Sequence, residues 1–130
     1  MHGILIVDDN ASVRTCVRNV LETQYGLSVC GEAENGYEGI EKAKELGPDL
    51  IVLDLAMPRM NGFQAAMQLK RLMPAIPLVM FTSFSGPQIE REATSLGIAS
   101  VHSKSEGIDA LVRAIRVLLG GAWKTAASSP

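Results

Sequence analysis

Short apolar segments alternate along the chain with longer stretches in which apolar residues recur every three or four positions. The short segments are typical of β-strands and the longer ones of amphipathic helices. Five strands are predicted, at Gly3–Asp8, Leu27–Ala33, Leu50–Asp54, Leu78–Thr82 and Ser100–Ser103. A helical segment follows each strand, and this uninterrupted alternation indicates an α/β fold whose parallel sheet is covered by helices on both faces.

The five helical segments differ in how clearly their apolar faces are marked. The first and last carry full stripes of apolar residues, over Val13–Leu21 and Ile108–Leu119. The second and third carry thinner ones, Ile40–Ala43 and Phe63–Met67, and the fourth has only three scattered apolar residues over Ile89–Leu96. The fourth helix, together with the adjoining edge strand, is therefore the predicted partner surface.

The composition of the strands predicts their order in the sheet. Ile4–Val7, Leu50–Leu53 and Leu78–Phe81 are apolar on both faces, as central strands must be. The second strand alternates between apolar and polar residues, and the fifth offers a single apolar residue, so both belong at the edges. This is a flavodoxin-like, doubly wound, five-stranded parallel sheet of order 2-1-3-4-5 with five helices.

The length and composition fit one globular domain. The chain has 130 residues, of which 47% are hydrophobic and 20% charged. Residues 1–120 are predicted to form the domain. After Gly120-Gly121 the residues are small and polar apart from Trp123, so 121–130 is interpreted as a C-terminal tail or the start of a linker.

The charge and hydropathy of the chain limit its expected cellular location and the classes of partner it could bind. The net charge is −2 and no run of Lys or Arg is present, which argues against direct nucleic-acid binding. The apolar runs are too short to span a membrane. The N-terminus carries no export signal, so a cytoplasmic location is expected.

The two cysteines do not form a metal or redox motif. No other potential ligand lies at a suitable spacing from Cys16 or Cys30, and each falls inside a predicted helix or strand. We therefore expect two reduced, buried thiols that act as small apolar side chains.

Polar side chains stand where four of the five strands end. Asp8 and Asp9 end the first strand, Asp54 the third, Thr82 the fourth, and Lys104 follows the fifth. The second strand is expected to contribute nothing, because it is an edge strand away from the switch point between strands one and three. Since parallel strands bring their carboxyl ends to one rim, three carboxylates, a hydroxyl and an ammonium are predicted to converge there.

The charge of this rim points to a divalent cation. Two carboxylates about 4 Å apart repel by roughly 4 kcal/mol at an effective dielectric near 20. A third carboxylate requires compensation by protons or a cation, and one lysine supplies only part of it. Oxygen ligands without His or Cys favour Mg²⁺ or Mn²⁺.

At this point the sequence resembles a family, the receiver domains of two-component response regulators. The resemblance covers about Met1 to Leu119, and the stretches Gly31–Gly36 and Leu46–Asp49 are most similar to receivers that precede LuxR-type helix-turn-helix domains. The motifs that carry it occur in the family's order: Ile4–Asn10, Leu53–Pro58, Asn61-Gly62, Phe81–Ser83 and Ser103-Lys104.

The resemblance implies a role for each residue of the rim. Asp54 would be the nucleophile that attacks a phosphohistidine and becomes an aspartyl phosphate. Asp9 and Asp54 would bind Mg²⁺ directly, Asp8 mainly through water, and the Ala56 carbonyl would add a ligand. In the same family, the lysine (here Lys104) pairs with the acceptor and then with a phosphoryl oxygen. The threonine (here Thr82) gives its hydroxyl to another phosphoryl oxygen, a contact made only in the phosphorylated state.

Two positions depart from the family pattern. Receivers usually carry Tyr or Phe at position 101, where this chain has Val101. Many receivers have Pro after the lysine, where this chain has Ser105. Neither change affects phosphoryl acceptance, but the first leaves the path from Thr82 to the outer face of the last strand unassigned.

The predicted function is a non-enzymatic phosphoacceptor switch with limited self-phosphotransfer and autodephosphorylation. Its expected partners are a sensor histidine kinase or phosphotransfer protein, and a downstream effector or an attached DNA-binding domain. A homodimer is a further use of the same partner surface, and the sequence does not decide among these. One alternative is a phosphorylation-independent docking module of the same fold. Another is a Mg-dependent aspartyl-phosphate phosphatase, which needs a general acid where this chain has Ala56.

Overall fold

A computed structural model describes the backbone of residues 1–128 and the side chains of residues 1–120. Strands and helices alternate as predicted, and each strand boundary lies within one residue of its expected position. A short 3₁₀ turn, which the sequence pattern did not predict, lies at Lys104–Glu106. The elements are β1 His2–Val7, α1 Ala11–Glu22, β2 Leu27–Ala33, α2 Gly36–Leu46, β3 Leu50–Leu53, α3 Gly62–Leu72, β4 Leu78–Thr82, α4 Pro87–Ser95, β5 Ser100–Ser103 and α5 Asp109–Ser128.

The sheet confirms the predicted topology. All neighbouring strands are parallel and their order is β2-β1-β3-β4-β5. Helices cover both faces, and each face has its own apolar core. On one face Ile4 and Ile6 pack with residues of α1 and α5. On the other, Leu5 and Val7 pack with residues of α2, α3 and α4.

An irregularity in the pairing of β1 with β2 changes which residues face each core. Ile4 is opposite Val29, but Leu5 is opposite Gly31, so Cys30 is an extra residue in β2. Side chains alternate along a strand, and one extra residue therefore exchanges the two faces beyond it. Val29 accordingly packs against the α1–α5 core, whereas Ala33 belongs to the opposite core. Glu32 then points to the α1 side.

The first two helices end in different ways. Gly47 ends α2 in the left-handed conformation, with φ of 58°. Helix α1 stops at Glu22 with Thr23 as its C-cap. Gly26, with φ of 80°, forms the turn into β2. The side chains of residues 121–130 lie outside those described, as do residues 129–130 altogether. The interpretation of 121–130 as a tail or linker therefore stays a prediction.

The expectation of buried cysteines was wrong. Both thiols are free, but Cys16 and Cys30 are exposed. Helix α1 buries only Val17 and Leu21 fully, so Cys16 lies at the margin of its apolar stripe. Cys30 is the extra residue of an edge strand, which explains its access to solvent. Met67, predicted on the apolar face of α3, is likewise half exposed.

Within the described residues, none of the helices combines the length and the apolar character needed to cross a bilayer.

Candidate functional site

Three carboxylates meet at the carboxyl end of the sheet. Asp8 and Asp9 follow β1, Asp54 follows β3, and each offers an oxygen within 4.8 Å of the others. Asp8 is 3% exposed and Asp54 is 4% exposed, whereas Asp9 is open to solvent. The arrangement follows from the parallel pairing of β1 with β3, which sets Val7 opposite Leu53 immediately before the acidic residues.

Asp9 is not needed to cap the first helix. That task falls to Asn10, whose side-chain oxygen accepts a hydrogen bond from the Val13 amide at 3.1 Å. The Asn10 amide in turn donates to Oδ1 of Asp8 at 2.9 Å. The Asp9 carboxylate is thereby left available to a cation, which removes the capping role as an explanation for this residue.

Lys104 follows the edge strand β5 and brings a positive charge into the cluster. Its Nζ lies 2.8 Å from Oδ2 of Asp8 and 3.4 Å from Oδ2 of Asp54. The resemblance predicted a pair with Asp54, and the structure shows a shorter one with Asp8. One ammonium thus serves two largely buried carboxylates and fully neutralises neither.

The 3₁₀ turn that contains Lys104 also contains Ser105, the residue that stands where many receivers have proline. The side chain of Ser103 caps the 3₁₀ turn by accepting a hydrogen bond from the Ser105 amide at 3.2 Å. A proline at this position has no amide hydrogen and could not donate this bond. The peptide bonds of the described chain are all trans.

The electrostatics of the cluster raise the pKa of the acceptor above its ordinary value. Burial raises the pKa of Asp54, and the charge of Asp8 raises it further. The charge and hydrogen bond of Lys104 and a hydrogen bond with Thr82 lower this pKa, but they do not compensate. A cation that lies among the carboxylates would favour the ionised form.

The residues present fit a hard divalent cation. The three side chains that converge are all carboxylates, and hard oxygen donors are the ligands that Mg²⁺ prefers. Asp8, Asp9, Asp54 and the carbonyl of Ala56 are the residues that would hold the ion. With two of the carboxylates buried and one exposed, the cluster also retains a side open to solvent.

Thr82 is completely buried at the end of β4. Its hydroxyl oxygen accepts a hydrogen bond from the Phe84 amide at 3.3 Å, and the hydroxyl also reaches the Asp54 carboxylate. The hydroxyl therefore links the acceptor to the loop that leads into α4. Phe84 in that loop is 53% exposed.

The backbone behind the acceptor requires a glycine. The Gly62 amide donates to the Leu55 carbonyl at 2.7 Å, and a Cβ at this position would lie 2.2 Å from the Asp54 carbonyl oxygen. Asn61 precedes it and forms a capping box with Gln64. The Asn61-Gly62 pair was recognised in the sequence, but the steric reason for the glycine becomes visible only in the fold.

Sequence reasoning missed two residues beside the site. Arg14 of α1 donates from Nη1 to the carbonyl oxygen of Asp8 at 2.7 Å. Glu32 of β2 accepts a hydrogen bond from Nε of the same arginine at 3.0 Å. The edge strand β2 therefore does contribute to the surroundings of the site, contrary to expectation. No pattern in the strand revealed this, because regular alternation would turn Glu32 to the opposite face.

With this geometry established, comparison with known proteins defines the family. The profile of the response regulator receiver domain family matches residues 4–116. The chain belongs to this family, and it is a receiver domain of two-component signal transduction.

Relatives with curated sequences are response regulators. The chain is 35% identical over 121 residues to response regulator GacA of Pseudomonas viridiflava, which covers 93% of this chain and 56% of that protein. It is 39% identical over 113 residues to response regulator protein VraR of Staphylococcus saprophyticus, covering 87% of this chain and 54% of that protein. The chain thus spans about half the length of these relatives.

Solved structures of similar fold include a LuxR-family regulator and isolated receiver domains. A LuxR-family two-component response regulator from Aurantimonas has a TM-score of 0.88 at 30% identity, covering 93% of this chain and 86% of that one. The response regulator domain of Thermotoga maritima CheB has a TM-score of 0.78 at 28% identity, covering 100% and 99%. The isolated receiver of Salmonella RcsB, solved with the phosphomimetic BeF₃⁻, has a TM-score of 0.85 at 25% identity, covering 92% and 89%.

Proposed function

We propose that this receiver domain accepts a phosphoryl group on Asp54 in a Mg²⁺-dependent reaction and uses the modified state to regulate a partner. The observation that carries this proposal is the position of Asp54: buried at the end of β3, within 4.8 Å of two further carboxylates and 3.4 Å from an ammonium. The donor would be the phosphohistidine of a sensor histidine kinase or a phosphotransfer protein.

The transfer requires the ionised form of Asp54. A carboxylate oxygen attacks the phosphorus in line, the bond from phosphorus to the histidine nitrogen breaks, and that nitrogen keeps the electron pair and is protonated. Bound Mg²⁺ would supply Lewis-acid stabilisation of the charge on the phosphoryl oxygens. Asp8, Asp9 and Asp54 would hold it, with the Ala56 carbonyl as a further ligand.

Lys104 and Thr82 would contact the phosphoryl group once it is attached to Asp54. Lys104 lies close enough to Asp54 to exchange a carboxylate contact for a phosphoryl oxygen. Thr82 would give its hydroxyl to another oxygen, which changes its bond with the Phe84 amide. Because this contact exists only after transfer, it supplies a difference in free energy between the two states. A complete switch needs about 5.5 kcal/mol, more than one hydroxyl bond provides, so several contacts must contribute.

The output would pass through a partner surface or an attached domain. The matched residues cover only 56% and 54% of the two relatives described above, which supports an effector or DNA-binding domain as the recipient. Limited self-phosphotransfer from small donors and limited autodephosphorylation belong to the same proposal.

The direct test is intact mass spectrometry after incubation with acetyl phosphate. A phosphoryl adduct should form with Mg²⁺, disappear in its absence, and be lost in Asp54→Asn. Asp109→Asn is the matched control, because Asp109 is an exposed carboxylate at the start of α5, outside the acidic cluster. This control should retain the adduct.

The alternatives give different results in the same experiment. No adduct and no binding of beryllofluoride would support the docking module and reject the acceptor mechanism. Continuous release of phosphate from an added phosphate ester would support the phosphatase. Ala56 stands where that reaction needs an acid, so no such turnover is expected.

A further inference from the structure

Arg14 joins three elements beside the acidic cluster. Its Nη1 donates to the Asp8 carbonyl at 2.7 Å, and its Nε donates to Oε1 of Glu32 at 3.0 Å. Its side chain is 16% exposed, so these bonds are only partly in competition with water. Helix α1 is thereby attached both to Asp8, the residue that follows β1, and to the neighbouring strand β2.

Glu32 is the anchor of this arrangement. Its second oxygen accepts a hydrogen bond from Nε of Arg18 at 2.5 Å, and its backbone carbonyl accepts one from Nζ of Lys42. Burial raises the pKa of Glu32, but the hydrogen bonds and charges of Arg18 and Arg14 outweigh this and lower it below its ordinary value. Glu32 therefore stays ionised and fixes the direction of the Arg14 side chain.

The bond to the Asp8 carbonyl acts at a sensitive point of the chain. The Asp8 amide donates to the Ala33 carbonyl at 3.0 Å, and Oδ1 of Asp8 accepts from the Asn10 amide at 2.9 Å. Arg14 adds a third constraint, on the peptide group between Asp8 and Asp9. The orientation of this peptide determines where the Asp9 carboxylate is placed relative to Asp8 and Asp54.

We infer that Arg14 is a positioning residue for cation binding, held in place by Glu32 from the edge strand. The inference rests on the proposed function, since it assigns Arg14 a role in arranging the carboxylates that would hold Mg²⁺. Among the described contacts, Arg14 reaches the Asp8 backbone carbonyl and none of the three carboxylates of the cluster. Partners that orient metal ligands in this way typically change metal affinity by about 10- to 100-fold when they are removed.

The chain offers a matched control for this inference in Arg18. Both arginines lie on α1 and bind the Glu32 carboxylate, but among the described contacts only Arg14 reaches the Asp8 carbonyl. Arg18→Gln therefore removes a helix-to-strand ion pair of the same kind without altering the turn. Arg14→Lys keeps a positive charge for Glu32, but its single nitrogen cannot replace the two-pronged contact of the guanidinium.

The experiment compares Arg14→Gln, Arg14→Lys and Arg18→Gln with the unmodified protein by amide NMR. Without metal, exchange of the Asp8 and Asn10 amide hydrogens should be about 10-fold faster in both Arg14 variants and unchanged in Arg18→Gln. In a MgCl₂ titration of the same samples, the Kd should rise about 10-fold in the Arg14 variants only.

Equal amide exchange in the Arg14 and Arg18 variants, or equal Mg²⁺ affinity, would overturn the inference. Arg14→Lys keeps the test decisive if Arg14→Gln does not fold. Failure of the proposed function is distinguishable: the unmodified protein would then take up neither Mg²⁺ nor a phosphoryl group. The metal-free exchange rates would still decide whether Arg14 positions the turn.

Discussion

The two edge strands flank the same site but are connected to it differently. At the β2 edge, Glu32 binds two arginines, and one of them reaches the backbone of Asp8 without touching a reactive group. At the β5 edge, Lys104 makes direct ion pairs with Asp8 and Asp54. The first connection sets position through several fixed contacts, whereas the second sets charge through one long side chain.

This difference assigns separate tasks to the two sides of the domain. Substitutions at the β2 edge should lower the stability of the domain and disturb the geometry of the acidic cluster. Substitutions at the β5 edge should change the charge of the acidic cluster while the fold is retained. The β5 side also lacks the aromatic residue usual in the family, since Val101 is only partly buried against the core.

The largest expected effect is from Lys104→Met, which removes the direct charge at the β5 edge. Phosphoryl acceptance from acetyl phosphate should slow about 100-fold, because a preorganised cation that faces the developing charge is lost. The rate would be followed by intact mass at fixed Mg²⁺. Lys44→Met, which removes an exposed lysine paired with Glu41 on α2, is the control and should leave the rate unchanged. A comparable loss in that control would contradict the prediction.

Glu32→Gln should have the next largest effect and break the connection at the β2 edge. It removes the carboxylate charge that Arg14 and Arg18 share, and we expect the free energy of unfolding at pH 7 to fall by about 1–2 kcal/mol, with allowance for partial exposure. Since the folded pKa of Glu32 is lowered, its contribution is present above the unfolded value near 4.5 and lost as pH falls through the folded pKa.

Urea unfolding at pH 7 and at pH 3 would measure this effect. The difference between Glu32→Gln and the unmodified protein should shrink at the lower pH. Glu22→Gln provides the control, because within the described part of the chain Glu22 forms an ion pair with Arg18 alone, one turn away on the same helix. A difference that is independent of pH would mean that the carboxylate charge is not what stabilises this edge.

Asp54→Asn should stabilise the metal-free protein at pH 7 by roughly 1 kcal/mol. Asp54 lies between the two edges, and burial and the charge of Asp8 raise its pKa above the ordinary value of 3.8 despite Lys104. A raised carboxyl pKa favours folding while the group is protonated, and this advantage is lost as pH rises through the folded pKa.

The stabilisation by Asp54→Asn should therefore be absent near pH 3 and grow with pH. Thermal unfolding in EDTA across this range would show it. If the substitution instead destabilises the protein at pH 7, then Lys104 compensates the acceptor fully and the two edges are balanced.

The smallest effect is expected at His102, the ionisable residue within β5. Its Nε2 lies 2.9 Å from the Ser100 hydroxyl, and burial lowers its pKa below 6.5; Glu106 raises this pKa and Arg113 lowers it. The neutral form is therefore favoured by folding. Stability from this group is present above pH 6.5 and lost as pH falls through the folded pKa.

His102→Asn should flatten the stability profile below pH 6.5 by roughly 0.5 kcal/mol, with His2→Asn as the control. Unfolding midpoints in urea between pH 5 and 7.5 would test it. An unchanged profile would show that protonation of His102 does not affect the stability of the domain.

The sequence predicted the sheet order and the acidic cluster for the same physical reason. Strands that are covered on both faces are continuously apolar, and parallel strands bring their ends together, so Asp8, Asp54 and Thr82 could be assigned to one rim. The exposure of Cys30 and the role of Glu32 were missed because both depend on the irregular pairing around Cys30. Cys16 is exposed for a different reason, because it lies at the margin of the apolar stripe of α1. Likewise, the shorter contact of Lys104 with Asp8 depends on side-chain geometry that no spacing encodes.

The extra residue in β2 also constrains how this chain can change in length. Val29 pairs with Ile4 and Gly31 with Leu5, so deletion of Cys30 would remove the irregularity and keep every other residue of β2 on its present face. Glu32 would remain on the α1 side and Ala33 in the opposite core. In a sequence alignment, a receiver whose strand lacks this extra residue therefore needs a one-residue gap at Cys30. Without that gap, residues from opposite faces of the sheet would be paired.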